Sequence, residues 1–477
     1  MRRRRITRLA VWLAHTLVLG CAAFTRAGAE SPTLADQYRD VAERIVKQTL
    51  AGNDAYAKLE HLCLEIGHRL SGSPQLEKAI DWAVETMKKD GQQNCRREKV
   101  MVPHWSRGTE SATILEPRVS PMRMLGLGGS IGTPPGGITA EVVVAEDEDA
   151  LDALGDAVKD KIVLFNKAMP PYHPEKGAGY GSTVRYRTHG ADFAAAKGAV
   201  ACLVRSVTAH SLRTPHTGAM RYGDEAPKIP AAAISTEDAE MIARLFQRGT
   251  PVKVKLEMQA QTLPDAESAN AVAELRGSTR PEEVVVMGGH IDAWDVGQGA
   301  HDDGAGCVMA MEAINVLRKL GLTPKRTIRV VLWTNEENGL AGGRAYAERH
   351  ADDLDKHVAA IESDSGAFKP QGYGLSCTDK EREKRAVGQM SEILSLIEPH
   401  VGPLQAKAGG GGADISPMKD SGVVLIGHHV EGSHYFDYHH TEADTIDKVD
   451  PRELSQNVAV LAATAYILAD MPTPIGK

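Results

Sequence analysis

An α/β fold, a mixed, mostly parallel sheet flanked by helices and carrying a β-rich insertion, is predicted by three features of the sequence. Short runs rich in β-branched residues at 284–287, 328–333 and 358–361 are separated by stretches of helical periodicity, as in a buried parallel sheet with crossover helices. Each run leads into residues that favour metals, which puts them at the carboxyl ends of the strands, where open α/β sheets bind their ligands. Between Pro117 and Ala271 the texture changes to short β-like runs and Gly/Pro turns with none of those residues, the mark of an inserted unit.

The elements follow in order. Met1 precedes four consecutive arginines, an apolar run at 9–19 and Ala27-Gly-Ala29. A basic start, a short apolar core and a small-x-small site compose an export signal over residues 1–29, and predict a secreted or periplasmic protein. The apolar run is shorter than the ~20 residues a spanning helix needs, so no stable membrane span is expected. Val18-Leu-Gly-Cys21 resembles a lipobox, which leaves a lipid anchor at Cys21 open.

Residues 30–117 form the first part of the catalytic unit. Leu34, Tyr38, Val41 and Ile45 mark an amphipathic helix, and Ser73-Pro74 opens a second that carries Leu76, Ile80, Ala83 and Met87 and stops at Gly91. Residues 118–267 form the insertion, with strands at 138–145, 162–165, 199–204, 229–234 and 252–258 and a helix at 239–246. Two of its stretches, Arg185-Tyr-Arg187-Thr-His-Gly and Pro215-His-Thr-Gly, either face the catalytic cleft or are plain solvent-facing loops. Residues 268–477 hold the metal-binding part.

There, His290 offers an imidazole, and Asp292 is placed to accept its other ring proton and fix the tautomer. Asp302 stands at the start of a helix whose apolar stripe includes Ile314 and Leu317, where one carboxylate can bridge two cations. Glu336-Glu337 emerge from an apolar strand, and two adjacent carboxylates there repel one another unless a cation or proton compensates. Glu337 reads as a metal ligand and Glu336 as the general base. Asp364 follows the 358–361 run. His439 and His440 lie in a loop ahead of a helix opened by Asp450-Pro451, with the stripe Leu454, Val458, Leu461, Ala465 and Leu468; spacing does not choose between the two histidines. Taken singly, each of these residues fits a cap or a polar loop.

The set His290-x-Asp292, Asp302-Asp303, Glu336-Glu337, Asp364 and His440-Thr-x-x-Asp444-Thr resembles the di-zinc aminopeptidase family, peptidase family twenty-eight. The resemblance runs from about Leu34 to the carboxyl terminus. It implies a zinc aminopeptidase-like fold with a protease-associated-like insertion and two Zn2+ per chain, with Asp302 bridging, His290 and Asp364 on one ion and Glu337 and His440 on the other. His440 is selected because the family's ligand directly precedes a hydroxyl residue. Glu336 is the implied catalytic base, small peptides or dipeptides the implied substrates and a homodimer the implied assembly. The implied chemistry is amide hydrolysis, with cations about 3.5–4 Å apart clamping and acidifying a water.

Composition agrees: 42% hydrophobic and 25% charged residues suit a soluble globular enzyme, and 477 residues suit two or three domains. A formal charge of −8 argues against a nucleic-acid partner. The serines and cysteines do not form a nucleophile constellation with these histidines. Beyond residue 29 the cysteines are Cys63, Cys95, Cys202, Cys307 and Cys377, too scattered for a disulfide scaffold; Cys63 with Cys95 is the pair to test. Gly409–Gly412, Tyr435 and Tyr438 are candidate cleft residues. Two rival classes stand beside the peptidase: a non-catalytic, metal-stabilised ectodomain that binds a partner, and an aminoacylase-type hydrolase on the same fold. Glu336, which ligates nothing in the expected site, speaks against the first.

Overall fold

The computed structural model describes residues 33–477; the export signal assigned to 1–29 and the Cys21 anchor lie outside the described residues. Eight strands make a first sheet in the order Gln93–Ser106, Gln261–Leu275, Arg326–Trp333, Arg280–His290, His357–Glu362, Val424–Val430, Pro370–Ser376, Gln405–Ala408. Its four central strands, from Arg326–Trp333 to Val424–Val430, are parallel, and antiparallel neighbours join on both sides. The sheet is thus mixed and mostly parallel at its centre, as expected.

Strand periodicity explains its burial. Val285 and Met287 face one core with Ile328, Val330 and Ile361, whereas Val284 and Val286 face another with Val331, Trp333 and Ala360. Burial on both faces is why these strands read as continuous apolar runs. Helices Leu34–Ala51, Pro74–Lys89, Ala305–Lys319, Lys380–Ser395 and Pro451–Asp470 pack on the first face. Their starts are capped as the sequence suggests: the Leu76 N–H donates to Ser73 Oγ at 3.2 Å, and the Arg452 and Glu453 N–H groups donate to Asp450. The stripe Leu454, Val458, Leu461, Ala465 and Leu468 is buried. Ala341–Arg349 packs on the opposite face through Tyr346.

A second eight-stranded sheet takes its strands from Glu110 to Met258, in the order Ser120–Pro121, Glu110–Glu116, Lys253–Met258, Ile138–Ala145, Ile162–Phe165, Ala201–Arg205, Ala231–Ile234, Met124–Gly126. Helices Val184–Ala196 and Thr236–Gln247 cover it. The boundaries read from sequence, 117/118 and 267/268, both shift. Glu110–Glu116 belongs to the second sheet, and Gln261–Leu275 pairs with Gln93–Ser106 in the first, from Ser106 opposite Gln261 to Gln93 opposite Glu274. The change of composition lags the change of sheet because a strand keeps its alternation wherever it pairs. The two chains of this ribbon lead into and out of the second sheet side by side.

All five cysteines among the described residues are free, so the expected Cys63–Cys95 pair does not form. Cys63 is buried in the Leu62–Ile66 turn, while Cys95 Sγ turns to the Gln92 carbonyl at 3.3 Å. Among the described residues, no helix is long and apolar enough to cross a membrane.

Candidate metal centre

His290 is the last residue of the Arg280–His290 strand. The chain then loops through Gly299, at φ +58°, into the tight turn Ala300–Gly304, and the Ala305–Lys319 helix begins. Three braces hold this loop. Arg69, fully buried, donates from Nε to the Ile291 carbonyl at 2.6 Å, from Nη1 to Gln298 at 2.7 Å and from Nη2 to Gly299 at 2.9 Å. Asp444 accepts from the backbone N–H groups of His301 at 2.8 Å and Asp302 at 3.1 Å. Asp303 accepts from the His290 N–H at 3.0 Å and the Gly306 N–H at 3.0 Å. Gly289 makes the last contact possible, because a Cβ there would lie 2.0 Å from Asp303 Oδ2.

The expected ligands meet here. Asp302 Oδ1 is 3.2 Å from His290 Nε2, which is 3.6 Å from Asp364 Oδ1. The other oxygen, Oδ2, is 3.4 Å from His440 Nε2, which is 3.1 Å from Glu337 Oε2. These separations match a tetrahedron whose bonds to a central zinc are ~2.0–2.1 Å and whose edges are therefore about 3.3 Å. Buried His290 Nε2, Asp302 Oδ2, Glu337 Oε1 and Asp364 Oδ1 have no hydrogen-bond partner. Orphaned donors and acceptors converging in this way are costly unless a cation joins them, so the residues fit the metal that the sequence implies.

His439 also approaches, its Nε2 3.8 Å from Asp302 Oδ2 and its ring stacked on that of His440 at 3.5 Å between centroids. Only His440 has both Asp302 and Glu337 in reach. Its backbone is left-handed, at φ +62°, a strained conformation for a residue with a Cβ. Its Nδ1 lies 3.2 Å from the Thr217 carbonyl.

Asp292 acts differently from the sequence expectation. The ring proton on His290 Nδ1 points to the Asp292 backbone carbonyl at 3.0 Å, with the carboxylate Oδ1 at 3.7 Å. The carboxylate is engaged elsewhere, accepting the N–H groups of Glu336 at 3.0 Å and Glu337 at 3.3 Å. It thereby fixes the turn that Asn335, at φ +66°, makes out of the Arg326–Trp333 strand.

The electrostatics are those of a site crowded with acids. Burial disfavours a charged His290, but the neighbouring carboxylates of Asp292, Asp302 and Asp364 prevail and hold its pKa well above the usual imidazole value. Burial pushes Asp302 up to about 6 against the lowering contact with His290, with Asp364 adding to the rise. Burial pushes Glu336 up to about 8, opposed by His290 and reinforced by Asp364, Asp292 and Asp302. Glu337 is raised well above its ordinary value by burial and Asp302, and burial with His439 and Arg187 keeps His440 neutral. Protons held by these carboxyls stand where divalent charge would otherwise be.

Other candidates divide. Burial and the nearby charges of Asp302 and Asp364 raise the Tyr435 hydroxyl. Tyr438 stacks on His301 instead. Gly412 makes room for Glu362, since a Cβ there would stand 2.1 Å from its Cδ. Arg185 pairs with Glu148 at the surface, while Arg187 turns inward to His440. Thr217 and His216 reach the same loop by backbone and ring contacts. Arg69 and the hold of Asp303 on the His290 N–H went unforeseen; an arginine ahead of a helix start carries no signal of which carbonyls it will hold.

A parallel sheet with imidazoles and carboxylates gathered at its carboxyl ends is the layout of a metal-dependent hydrolase. Residues 270–465 match the model of peptidase family M28. Carboxypeptidase Q of Mus musculus is 42% identical over 471 residues, covering 97% of each chain. The crystal structure of a peptidase M28 precursor from Shewanella amazonensis is 37% identical and superposes with a TM-score of 0.87, covering 92% of this chain and 98% of that one. A zinc aminopeptidase from Bacillus subtilis shares the fold, at 19% identity and a TM-score of 0.64 over 88% of this chain and 96% of that one. The chain belongs to peptidase family M28.

Proposed function

We propose that the protein is a zinc-dependent exopeptidase that cuts the amide bonds of small peptides or dipeptides with two zinc ions per chain. The observation that supports it best is the Asp302 carboxylate, which turns one oxygen to His290 and the other to His440 at tetrahedral-edge separations. His290, Asp302 and Asp364 would hold one ion; Asp302, Glu337 and His440 the other. Zinc, when bound, supplies Lewis acidity that polarises the scissile carbonyl and acidifies water.

The chain's own residues do the rest. Glu336 takes a proton from the attacking water and returns it to the leaving amine. Burial raises its carboxyl above the ordinary carboxylate range, which makes it, once ionised, a stronger base than an exposed one. Asp292 is a positioning residue: its carboxylate steadies Glu336 and Glu337 through their N–H groups, and its carbonyl orients His290. The second sheet and its helices are read as an inserted protease-associated-like domain that walls the cleft, a role supported by the Thr217 and Arg187 contacts to His440. Export, read from the basic start and short apolar run within residues 1–29, and a homodimer, implied by the family resemblance, complete the reading.

A dipeptide library incubated with zinc-loaded protein, chelator-stripped protein and Glu336→Gln, with products identified, tests it. Turnover is expected only in the first, with Glu336→Gln slowed by roughly 10²–10⁴-fold at unchanged zinc content. Wild-type rates in that variant would remove Glu336 as base. No cleavage by the zinc-loaded protein would favour the partner-binding ectodomain, and cleavage of N-acyl amino acids alone the aminoacylase.

A further inference from the structure

His301 precedes the shared Asp302 directly in the chain and is only 1% exposed. Its backbone N–H is bound to Asp444, and its ring reaches two further segments. Nδ1 accepts the Ala367 N–H at 3.2 Å, and Nε2 donates to the Lys448 carbonyl at 3.2 Å. An acceptor and a donor on separate edges of one plane are what a neutral imidazole with its proton on Nε2 provides. Gly366 lets the first bond form, since a Cβ there would stand 2.8 Å from Nδ1.

The plane of the ring is used as well. Phe368 stacks on it, with centroids 4.4 Å apart and planes 5° apart. Tyr438 lies nearly parallel at 5.7 Å and 10°, and Phe368 and Tyr438 meet one another at 6.5 Å. Asn457, on the Pro451–Asp470 helix, fixes Phe368 from behind by donating to its carbonyl at 2.7 Å.

These contacts converge on the segments that carry donors. Ala367 and Phe368 lie in the loop that starts at Asp364, Tyr438 stands two residues before His440, and Lys448 follows it in the same segment. Both donors need a fixed reference. The Asp364 side chain is 25% exposed, with few atoms around it to hold it, and His440 keeps a left-handed backbone. We propose that His301 is a positioning residue that spans the two ion sites: its ring holds the Asp364 loop and the His440 loop at a fixed separation, with Asp302 between them. The proposal rests on the two-zinc reading above and adds to it the side chain that keeps the two sets of donors in register.

The test measures zinc affinity by competition with a chromogenic chelator, the visible spectrum of the cobalt-loaded protein, and kcat and KM for a dipeptide. His301→Phe keeps a ring and removes both hydrogen bonds. It is expected to lower zinc affinity by roughly 10–100-fold, as the loss of a support behind metal ligands does, and to alter the cobalt spectrum, which reports donor geometry. Its kcat should fall with KM little changed. Ile80→Ala, a core truncation in the Pro74–Lys89 helix, should lower the unfolding midpoint and leave affinity and spectrum as in wild type. A folded His301→Phe with wild-type affinity and spectrum overturns the proposal, as does an Ile80→Ala that shifts both as far. Should His301→Phe fail to fold, Phe368→Leu decides. It removes the stack, leaves both hydrogen bonds of His301 in place and is expected to show the same shift more weakly; wild-type affinity and spectrum there overturn the proposal. Affinity and spectrum are read without peptide, so a protein that holds two ions and cleaves nothing loses the peptidase reading alone. Wild type that takes up no second ion removes the two-zinc reading, and this proposal with it.

Discussion

The two sides of the metal cluster are built on opposite plans. On the first sheet's side every donor follows a strand end or a tight turn, and the backbone behind it is tied down by Arg69, Asp303 and Asp444. On the second sheet's side, the contacts made to the two histidines are few: His216 Nδ1 to the His439 carbonyl at 2.8 Å, Thr217 to His440, and Arg187 beside it. One side fixes where charge sits, and the other borders the space a substrate would enter. Rigid donors and a separately built wall let the chemistry stay constant while recognition varies.

The contrast can be broken most severely at Asp302. Asp302→Ala removes the shared ligand, and zinc content by plasma emission should fall below one ion per chain with activity lost. The same carboxyl gives a pH signature. Its metal-free pKa of about 6 exceeds its ordinary value of 3.8, so the metal-free fold holds this proton more tightly than the unfolded chain does. That contribution to stability is complete below pH 4 and is lost as pH rises through 6, whereas zinc must displace the proton and binds more weakly as pH falls through 6. Titration calorimetry with zinc should show affinity climbing from pH 5 to 7 with proton release, and a flat profile would contradict the assignment.

A smaller effect is expected behind the donors. Arg69→Met takes its donors from the Ile291 and Gln298 carbonyls and leaves Gly299 with the Gly304 N–H alone, which should cost about 2 kcal/mol or more of unfolding free energy and lower zinc affinity by about 10–100-fold. Denaturant unfolding of metal-free protein measures the first and competition with a chromogenic chelator the second. The smallest effect belongs to the outer face of the second layer. Arg185→Ala breaks an exposed pair with Glu148 and should change stability by no more than about 0.5 kcal/mol and kcat/KM not at all. A large loss there would mean that the outer face of the helix, too, serves the cleft.

The first side was the more legible in sequence, for a physical reason. A buried parallel strand must be apolar on both faces, so a carboxylate or imidazole just past its end stands out, as His290, Glu337 and Asp364 do. The bracing was not legible, because Arg69 reaches across more than two hundred positions to carbonyls that no residue identity reveals. Asp292 lay between these cases: its proximity to His290 was readable, but not which of its oxygens would serve the ring. Arg187 was visible only as part of a polar stretch, since burial decides whether an arginine is solvated or turned inward. The proposed Cys63–Cys95 bridge failed because two cysteines in one region need not point at one another.

The ribbon of Gln93–Ser106 and Gln261–Leu275 bears on how such a molecule can change over generations. Its two chains leave the first sheet side by side, with Ser106 opposite Gln261, so the intervening segment can be lengthened, shortened or exchanged with little added loop-closure entropy. Grafting the corresponding segment of a relative between residues 106 and 261 should therefore give a folded chimera that keeps the catalytic donors and inherits the donor protein's taste in peptides.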